Sequence, residues 1–201
     1  MTDIEVFADI ACPFTHLGLR GLFAERARRG SRRVIRVRAW PLEWINGSPL
    51  DPALVAHEID ALRVVAPTAF KGFDGTHFPA TSIPAFGLAA AGYAVDDGTG
   101  EALSLTLRAA LFERGLDVSN PDTIEKIAAD AGVRPLDAAR AEAAVRADWE
   151  RGSARGVAGS PHIFLGDRNW FCPSLRIAKV GDHFEVAKAG EVRAFYDAVF
   201  A

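Results

Sequence analysis

The chain has 201 residues, of which 49% are hydrophobic and 24% charged, a length that suits one large domain or a small domain with an insert. These fractions are ordinary for a folded protein and exclude intrinsic disorder. The formal net charge of −3 provides no basic excess to bind phosphates, so we expect no nucleic-acid partner. The first nine residues hold three acids instead of a secretory signal, and no apolar run reaches the roughly 18 residues of a membrane span. We therefore expect a cytoplasmic protein that makes no membrane contact.

The first forty residues predict a strand, a helix and a second strand. The stretch from Ile4 to Asp9 is short and rich in β-formers, which is typical of a buried strand. Pro13 suits the first turn of the following helix, where its missing N–H is not needed, and Gly30 ends that helix. Val34 to Trp40 alternates apolar and charged residues, as in a strand with one exposed face. Two strands joined by a helix predict a parallel βαβ unit.

Residues 51–152 predict a block of helices. Asp51-Pro52 and Asn120-Pro121 indicate two helix starts, because a capping residue precedes a proline in each. Gly115 and Gly132 indicate two helix ends. Apolar residues recur at helical spacing in two of the predicted helices; they are Val55, Ile59 and Leu62, and then Leu103, Leu107, Ala110 and Leu111. Two alanine-rich segments, at 84–92 and 136–151, complete the block.

Strands are predicted again after the helical block. His162 to Leu165 is short and apolar, and Gly166-Asp167 is a two-residue hairpin turn before Asn169 to Phe171. A second hairpin is predicted from Arg176 to Val186 around the turn Gly181-Asp182. An amphipathic helix ends the chain. This order of elements predicts an α/β fold.

Cys12 lies between the first predicted strand and the helix that begins at Pro13. Unpaired N–H groups and the positive end of the dipole at a helix N-terminus favour the thiolate, which is the nucleophilic form. Proline also directs the sulfur away from the helix end. The alternative is a small buried apolar residue, which free cysteines often are. We favour the reactive cysteine, because Pro13 fixes the turn so that the sulfur points off the helix end.

Residues 8–18, ADIACPFTHLG, resemble the active-site segment of the DsbA family, especially its cytoplasmic FrnE-like branch with the pattern D-x-x-C-P-x-C-x-x-G. The same superfamily contains 2-hydroxychromene-2-carboxylate isomerases and kappa-class glutathione transferases, which usually have serine in place of Cys12. The resemblance implies a thioredoxin-like fold with an all-helical domain inserted between its βαβ and ββα halves. It divides the chain into a thioredoxin-like domain at 1–48 and 153–201 and a helical insert at 49–152. Because relatives often self-associate, it also suggests a homodimer.

The chain departs from the dithiol pattern at Thr15, so its CPFT motif has one thiol. The Thr15 hydroxyl lies one helical turn from Cys12, where it either donates a hydrogen bond to the thiolate or is a solvated helix residue. His16 would be a cation or an acid near the thiolate, although residues four apart on a helix face each other better. With Pro13 and Phe14, His16 is a candidate substrate-binding residue.

Ser160-Pro161 precedes the predicted strand that begins at His162. Relatives have a cis-proline at the start of the equivalent strand, packed against the active-site sulfur, and Pro161 matches that position. A cis bond there leaves the backbone of Ser160 free to bind an extended thiol peptide. The alternative is an ordinary trans-proline that begins an edge strand. Ser160 and Pro161 are therefore candidate substrate-binding residues.

Cys172 returns to the active site if Gly166-Asp167 form a two-residue turn, because antiparallel pairing then places residue 172 opposite residue 161. Our hypothesis is that Cys172 replaces the missing motif cysteine as a resolving thiol in a Cys12–Cys172 disulfide. A change of one residue in register would turn it to the other face, and a disulfide needs Cα atoms within about 7 Å. The alternative is a buried strand cysteine.

Three functions remain open on this pattern. The first is a DsbA-like thiol–disulfide oxidoreductase in which Cys12 is the nucleophile and Cys172 or a small thiol resolves the intermediate. The second is an isomerase or transferase that activates glutathione or a similar thiol, which Thr15 favours and Cys12 disfavours. The third is a binding module without catalysis, which uses the groove beside Pro161.

The leading function needs no tightly bound cofactor. The small molecule that it would use is glutathione or an equivalent low-molecular-weight thiol. We expect its partners to be protein or small-molecule thiols and disulfides. No metal is predicted, because the histidines have no metal-ligand spacing with either cysteine; they are His57, His77, His162 and His183.

Overall fold

The computed structural model describes residues 3–181 and 183–201, without the side chain of His183. Its strands are β1 Ile4–Ala8, β2 Ile35–Ala39, β3 His162–Leu165, β4 Arg168–Phe171, β5 Leu175–Val180 and β6 His183–Lys188. Its α-helices are α1 Pro13–Arg28, α2 Leu42–Asn46, α3 Pro52–Val65, α4 Ile83–Val95, α5 Asp97–Arg114, α6 Pro121–Ala131, α7 Ala138–Ala154 and α8 Val192–Phe200. A single 3₁₀ turn covers Gly75–His77 in the described chain. No described helix is long and apolar enough to cross a membrane.

The central sheet has the strand order β2-β1-β3-β4. Strands β1 and β2 pair in parallel from Ile4↔Ile35 to Ala8↔Ala39, which confirms the predicted βαβ unit. Strand β3 then adds to β1 in the antiparallel direction. Every residue of β1 is buried, because this strand has a neighbour on both sides and helices over its faces.

The turn at Gly166-Asp167 has the predicted length of two residues. Leu165 pairs with Arg168 across it, and His162 pairs with Phe171. Gly166 has a φ of 60°, a left-handed conformation that glycine adopts without steric strain. The register therefore places the residue after β4 opposite the residue before β3.

Helices α3 to α7 follow one another between β2 and β3, as the periodicity predicts. The N-termini of α3, α5, α6 and α7 are capped by side chains that accept from backbone N–H groups, namely Asp51, Asp96, Asn120 and Asp137. Gly115 and Gly132 end α5 and α6 in the left-handed conformation. The short helix α2 was not predicted, because five residues are too few to show a periodicity.

Strands β5 and β6 form a separate two-stranded sheet that packs against α3. Leu175 and Val186 contact the apolar cluster of the helical block, which also contains Cys12. The pairing runs from Leu175↔Lys188 to Val180↔His183 and confirms the second predicted hairpin. Of its predicted turn, Asp182 lies outside the described residues.

The apolar interior has two main clusters that meet at the start of α1. One lies between the sheet, α1 and α8, around Ile4, Leu22 and Phe195. The other fills the helical block and extends to Cys12 and Phe14. The residues just before and within the first turn of α1 therefore lie where the sheet meets the helices.

Candidate functional site

Cys12 is the N-cap residue of α1, directly between the buried end of β1 and Pro13 at the first helical position. Its thiol donates to the carbonyl oxygen of Ser160, with a distance of 3.5 Å between Sγ and O. The residue is only 4% exposed. The sulfur is thus held against the segment that leads into β3.

The pKa of Cys12 shifts in the direction opposite to the one that the sequence predicts. Burial raises the pKa of this thiol to about 11, and hydrogen bonding from Thr15 only partly offsets that effect. The negative charges of Asp9 and Glu58 raise the pKa further. The expected lowering of this pKa is therefore wrong, because the N-terminus of α1 is covered and water is excluded from the Cys12 sulfur.

Asp9 shapes the turn between β1 and Cys12. Its Oδ1 accepts from the N–H of Ala11 at 2.6 Å, and its Oδ2 accepts from the N–H of Leu42 at 2.5 Å. The Ser82 hydroxyl donates to Oδ1 at 3.3 Å. Burial raises the pKa of Asp9 to about 6, although these hydrogen bonds oppose the shift. The carboxyl group therefore ties the turn to the start of α2 and to the residue before α4.

Arg108 lies beneath the same turn and is 1% exposed. Its Nη2 donates to the carbonyl oxygens of Ala8 and Asp9 at 3.3 and 3.1 Å, while Nη1 donates to the backbone and hydroxyl oxygens of Ser104. Desolvation lowers the pKa of Arg108 to about 10, which still leaves it charged near neutral pH. This buried cation satisfies the carbonyl groups at the end of β1 and attracts Asp9.

The Ser160–Pro161 peptide bond is cis. The Ser160 hydroxyl accepts from the N–H of Asp9 at 2.8 Å and forms a 2.6 Å hydrogen bond with the Thr15 hydroxyl. Thr15 is fully buried, so its interpretation as a solvated helix residue is wrong. The structure thus brings Cys12, Thr15 and Ser160 together at the end of α1.

His16 and Phe14 make different contacts from those of Thr15. The His16 ring bonds through Nε2 to Glu113 Oε1 at 2.8 Å and packs against the rings of Phe70 and Phe112. Burial lowers the pKa of His16 to about 4, more than the carboxylate of Glu113 raises it. Phe14 packs into the apolar cluster of the helical block. The described contacts of His16 join α1 to α5 and are not made with the thiol.

Cys172 directly follows β4 and lies beside the same proline. Its N–H donates to the carbonyl oxygen of Pro161 at 2.9 Å, as the two-residue turn requires. It has a φ of 43°, so its backbone leaves the strand conformation at this residue. Cys172 is half-buried and packs against the apolar cluster that contains Cys12. Burial raises the pKa of Cys172 to about 12, and the neighbouring Cys12 raises it further.

Sequence reasoning missed Glu58 on α3. This residue is half-buried, and desolvation raises its pKa to about 7. Its charge acts on the thiol of Cys12. A signal was present, because Glu58 lies three residues after Val55 and four before Leu62, on the apolar stripe of the helix. Arg108 interrupts the stripe of α5 in the same way, next to Leu107.

Two cysteines lie beside one proline here. The Cys12 thiol donates to the carbonyl oxygen of Ser160, before Pro161, whereas Cys172 donates through its backbone N–H to the carbonyl oxygen of Pro161 itself. The two thiols are near enough for Cys12 to raise the pKa of Cys172. The hydroxyls of Thr15 and Ser160 supply hydrogen bonds next to Cys12, and Glu58 supplies a carboxyl group. Two cysteine thiols can form and break disulfide bonds by thiol–disulfide exchange, which needs no metal.

The comparisons with known proteins agree with this fold. The family model of the DSBA-like thioredoxin domain matches residues 3–184, so the chain belongs to this family. Its fold is thioredoxin-like and of the mixed α/β class. No curated protein sequence matches the chain.

Three solved structures share the fold at low sequence identity. A probable DsbA oxidoreductase from Streptomyces coelicolor is 17% identical, with a TM-score of 0.65 over 99% of this chain and 88% of that one. The cytosolic disulfide reductase DsbM from Pseudomonas aeruginosa is 16% identical, with a TM-score of 0.61 over 98% of each chain. A 2-hydroxychromene-2-carboxylate isomerase is 17% identical, with a TM-score of 0.56 over 84% of this chain and 87% of that one.

Proposed function

We propose that the protein is a thiol–disulfide oxidoreductase in which Cys12 is the nucleophile and Cys172 the resolving thiol. The observation that supports this most directly is that both cysteines lie beside Pro161, Cys12 bonded through its thiol and Cys172 through its backbone N–H, and that the Cys12 sulfur raises the pKa of Cys172. The Cys12 thiolate attacks a substrate disulfide and releases one substrate thiolate. Cys172 then attacks the mixed disulfide, which releases the second substrate thiol and leaves a Cys12–Cys172 bridge.

The raised pKa of Cys12 limits when this reaction begins. In this structure the thiol is protonated at neutral pH, because it is buried in the apolar cluster to which α3 and the hairpin β5–β6 contribute side chains. When these elements separate, the desolvation decreases, while the helix N-terminus and the Thr15 hydroxyl still favour the thiolate. We propose that substrate binding next to Pro161 accompanies this opening.

The test compares wild type, Cys12→Ser and Cys172→Ser in the reduction of a model disulfide, with peptide mass spectrometry of each protein after oxidation. We expect Cys12→Ser to lose at least about 100-fold in rate, because the nucleophile is gone. Cys172→Ser should accumulate a mixed disulfide on Cys12, and only wild type should form the bridge. Full activity in Cys12→Ser would contradict the proposal. A wild type that forms no bridge would contradict the role of Cys172 alone.

A glutathione-dependent isomerase or transferase is the second candidate. The buried Thr15 favours it, because its hydroxyl bonds to Ser160 where a dithiol enzyme has its second thiol. The structural likeness to DsbM includes a form of that reductase solved with GSH, which agrees with a small thiol as the co-substrate in either function. Under this alternative, Cys12→Ser retains turnover with glutathione, since a serine hydroxyl also hydrogen-bonds a bound thiolate.

A further inference from the structure

The two cysteines of the site differ in access. Cys12 is 4% exposed, whereas Cys172 is half-buried and lines a surface groove of about 390 Å³. The groove runs from the end of β4 to the start of α8, between Trp170, Ala189 and Phe195. Cys12 is not among its lining residues. A small molecule in the groove therefore meets Cys172 before Cys12.

The groove also carries one charge of each sign. Arg176 of β5 and Glu191, just before α8, both line it and are exposed. Apolar and aromatic side chains form the rest of its wall, which suits a small organic molecule. A molecule with a carboxylate and an ammonium group would find a partner for each charge in the groove that Cys172 lines.

We infer that the Cys12–Cys172 disulfide is reduced from this groove by a zwitterionic low-molecular-weight thiol, which attacks Cys172 and not Cys12. This inference rests on the proposed function, because it requires the bridge. It makes Cys172 the sulfur through which the enzyme is returned to its dithiol form.

The reaction consumes two small thiols and produces one small disulfide. The first thiolate attacks the sulfur of Cys172, the bond between the two protein sulfurs breaks, and its electron pair leaves on Cys12. The helix N-terminus and Thr15 stabilise that leaving thiolate, which then takes up a proton. The second thiolate attacks the small-molecule sulfur of the mixed disulfide. The small disulfide is released, and Cys172 takes up a proton.

The test locates the first adduct on wild-type protein. Fully oxidised protein is mixed with substoichiometric glutathione, quenched within the first turnover in acid, alkylated and analysed by peptide mass spectrometry. We expect the glutathione adduct on Cys172 in about tenfold excess, with Cys12 alkylated. An adduct mainly on Cys12 overturns this inference and leaves the proposed function intact. If the protein never forms the Cys12–Cys172 bridge, the role of Cys172 is wrong in this inference and in the proposed function.

Charge recognition is tested with Arg176→Ala and a matched control, Lys179→Ala, which removes the same charge from the same strand outside the groove. We expect Arg176→Ala to reduce the rate with glutathione about threefold to tenfold, and the rate with uncharged 2-mercaptoethanol to stay unchanged. Lys179→Ala should change neither rate. If Arg176→Ala leaves the glutathione rate at the wild-type value, or reduces the rates with both thiols by the same factor, the zwitterionic ligand is overturned.

Discussion

At the scale of single residues, the site is governed by charges that lie in or near the apolar interior. Asp9 and Arg108 are almost fully buried, and each compensates part of the desolvation of the other. Among the described residues no cation offsets the desolvation of Glu58, and burial raises its pKa to about 7. The negative charge of Glu58 in turn raises the pKa of the nearby Cys12 thiol.

Replacing Glu58 by glutamine should lower the pKa of Cys12 by several tenths of a unit to about one unit, because a nearby negative charge disfavours the thiolate. The carboxyl group, with its own pKa of about 7, is already ionised where Cys12 titrates, so the two titration curves should separate near the Cys12 pKa of about 11. Thiolate absorbance at 240 nm, measured in a Cys172→Ser background, isolates Cys12. Asp60→Asn, an exposed change on the same helix, is the control. An unchanged titration curve would show that Glu58 does not act on the thiol.

At the scale of elements, helix α3 and the hairpin β5–β6 contribute side chains to the apolar cluster in which Cys12 is buried. The two strands meet the apolar cluster through one face, which carries Leu175, Val186 and the partly exposed Ile177. The other face, which carries Val180, is exposed. Access to Cys12 should therefore depend on how tightly this hairpin packs on the cluster.

Val186→Ala should speed alkylation of Cys12 about fivefold, because the loss of two methyl groups weakens the packed state by about 1 kcal/mol. Val180→Ala removes the same groups from the exposed face, where it should change the rate by less than about twofold. Mass spectrometry of the Cys12 peptide against time measures both rates. If the two variants react alike, the hairpin does not control access to this thiol.

At the scale of the whole molecule, a cluster of ion pairs joins the sheet to α7 and to the chain after it. Glu5 of β1 accepts from Arg38 of β2 at 2.6 Å, from Arg151 of α7 at 2.8 Å and from Arg155 at 2.6 Å. The carboxyl group is largely buried at 7% exposure. The end of the helical block is thereby held to both parallel strands.

Glu5→Gln should reduce the free energy of unfolding by about 2 kcal/mol at pH 7, because the cluster loses its shared acceptor charge. Burial opposes ionisation, but the arginines hold the pKa of Glu5 below 4.5. The stabilisation is therefore present above that value and is lost as the pH falls through the lowered pKa. Chemical denaturation at pH 7 and at pH 3 measures both effects. Glu142→Gln, which breaks an exposed pair with Arg146, should cost less than about 0.5 kcal/mol, and an equal loss in the two variants would contradict this role.

The two boundaries of the predicted helical domain remain predictions. The sequence places an inserted helical domain at 49–152, between the two parts of the thioredoxin-like domain. The apolar cluster of the helical block includes Cys12, Phe14 and Ala39, which precede that insert. The two predicted domains therefore share one apolar core at the site, and their division remains a proposal.

The sequence by itself determined the strands, the helices longer than α2 and their order. Local signals were strong there: a capping residue before Pro121, glycine after α5 and α6, and a two-residue turn at Gly166-Asp167. The turn length also set the register that brings Cys172 to Pro161. These features depend on neighbours in the chain, so they can be read without tertiary contacts.

Only the tertiary structure decided the environment of each side chain. Cys12 is buried in an apolar cluster with side chains of α3 and of the hairpin β5–β6, which are distant in sequence, and this burial reverses the expected direction of its pKa shift. In the same way, Glu113 of α5 binds His16, and Glu58 of α3 acts on the thiol. Burial and electrostatic energy are sums over everything packed around a group, and no local pattern contains that sum.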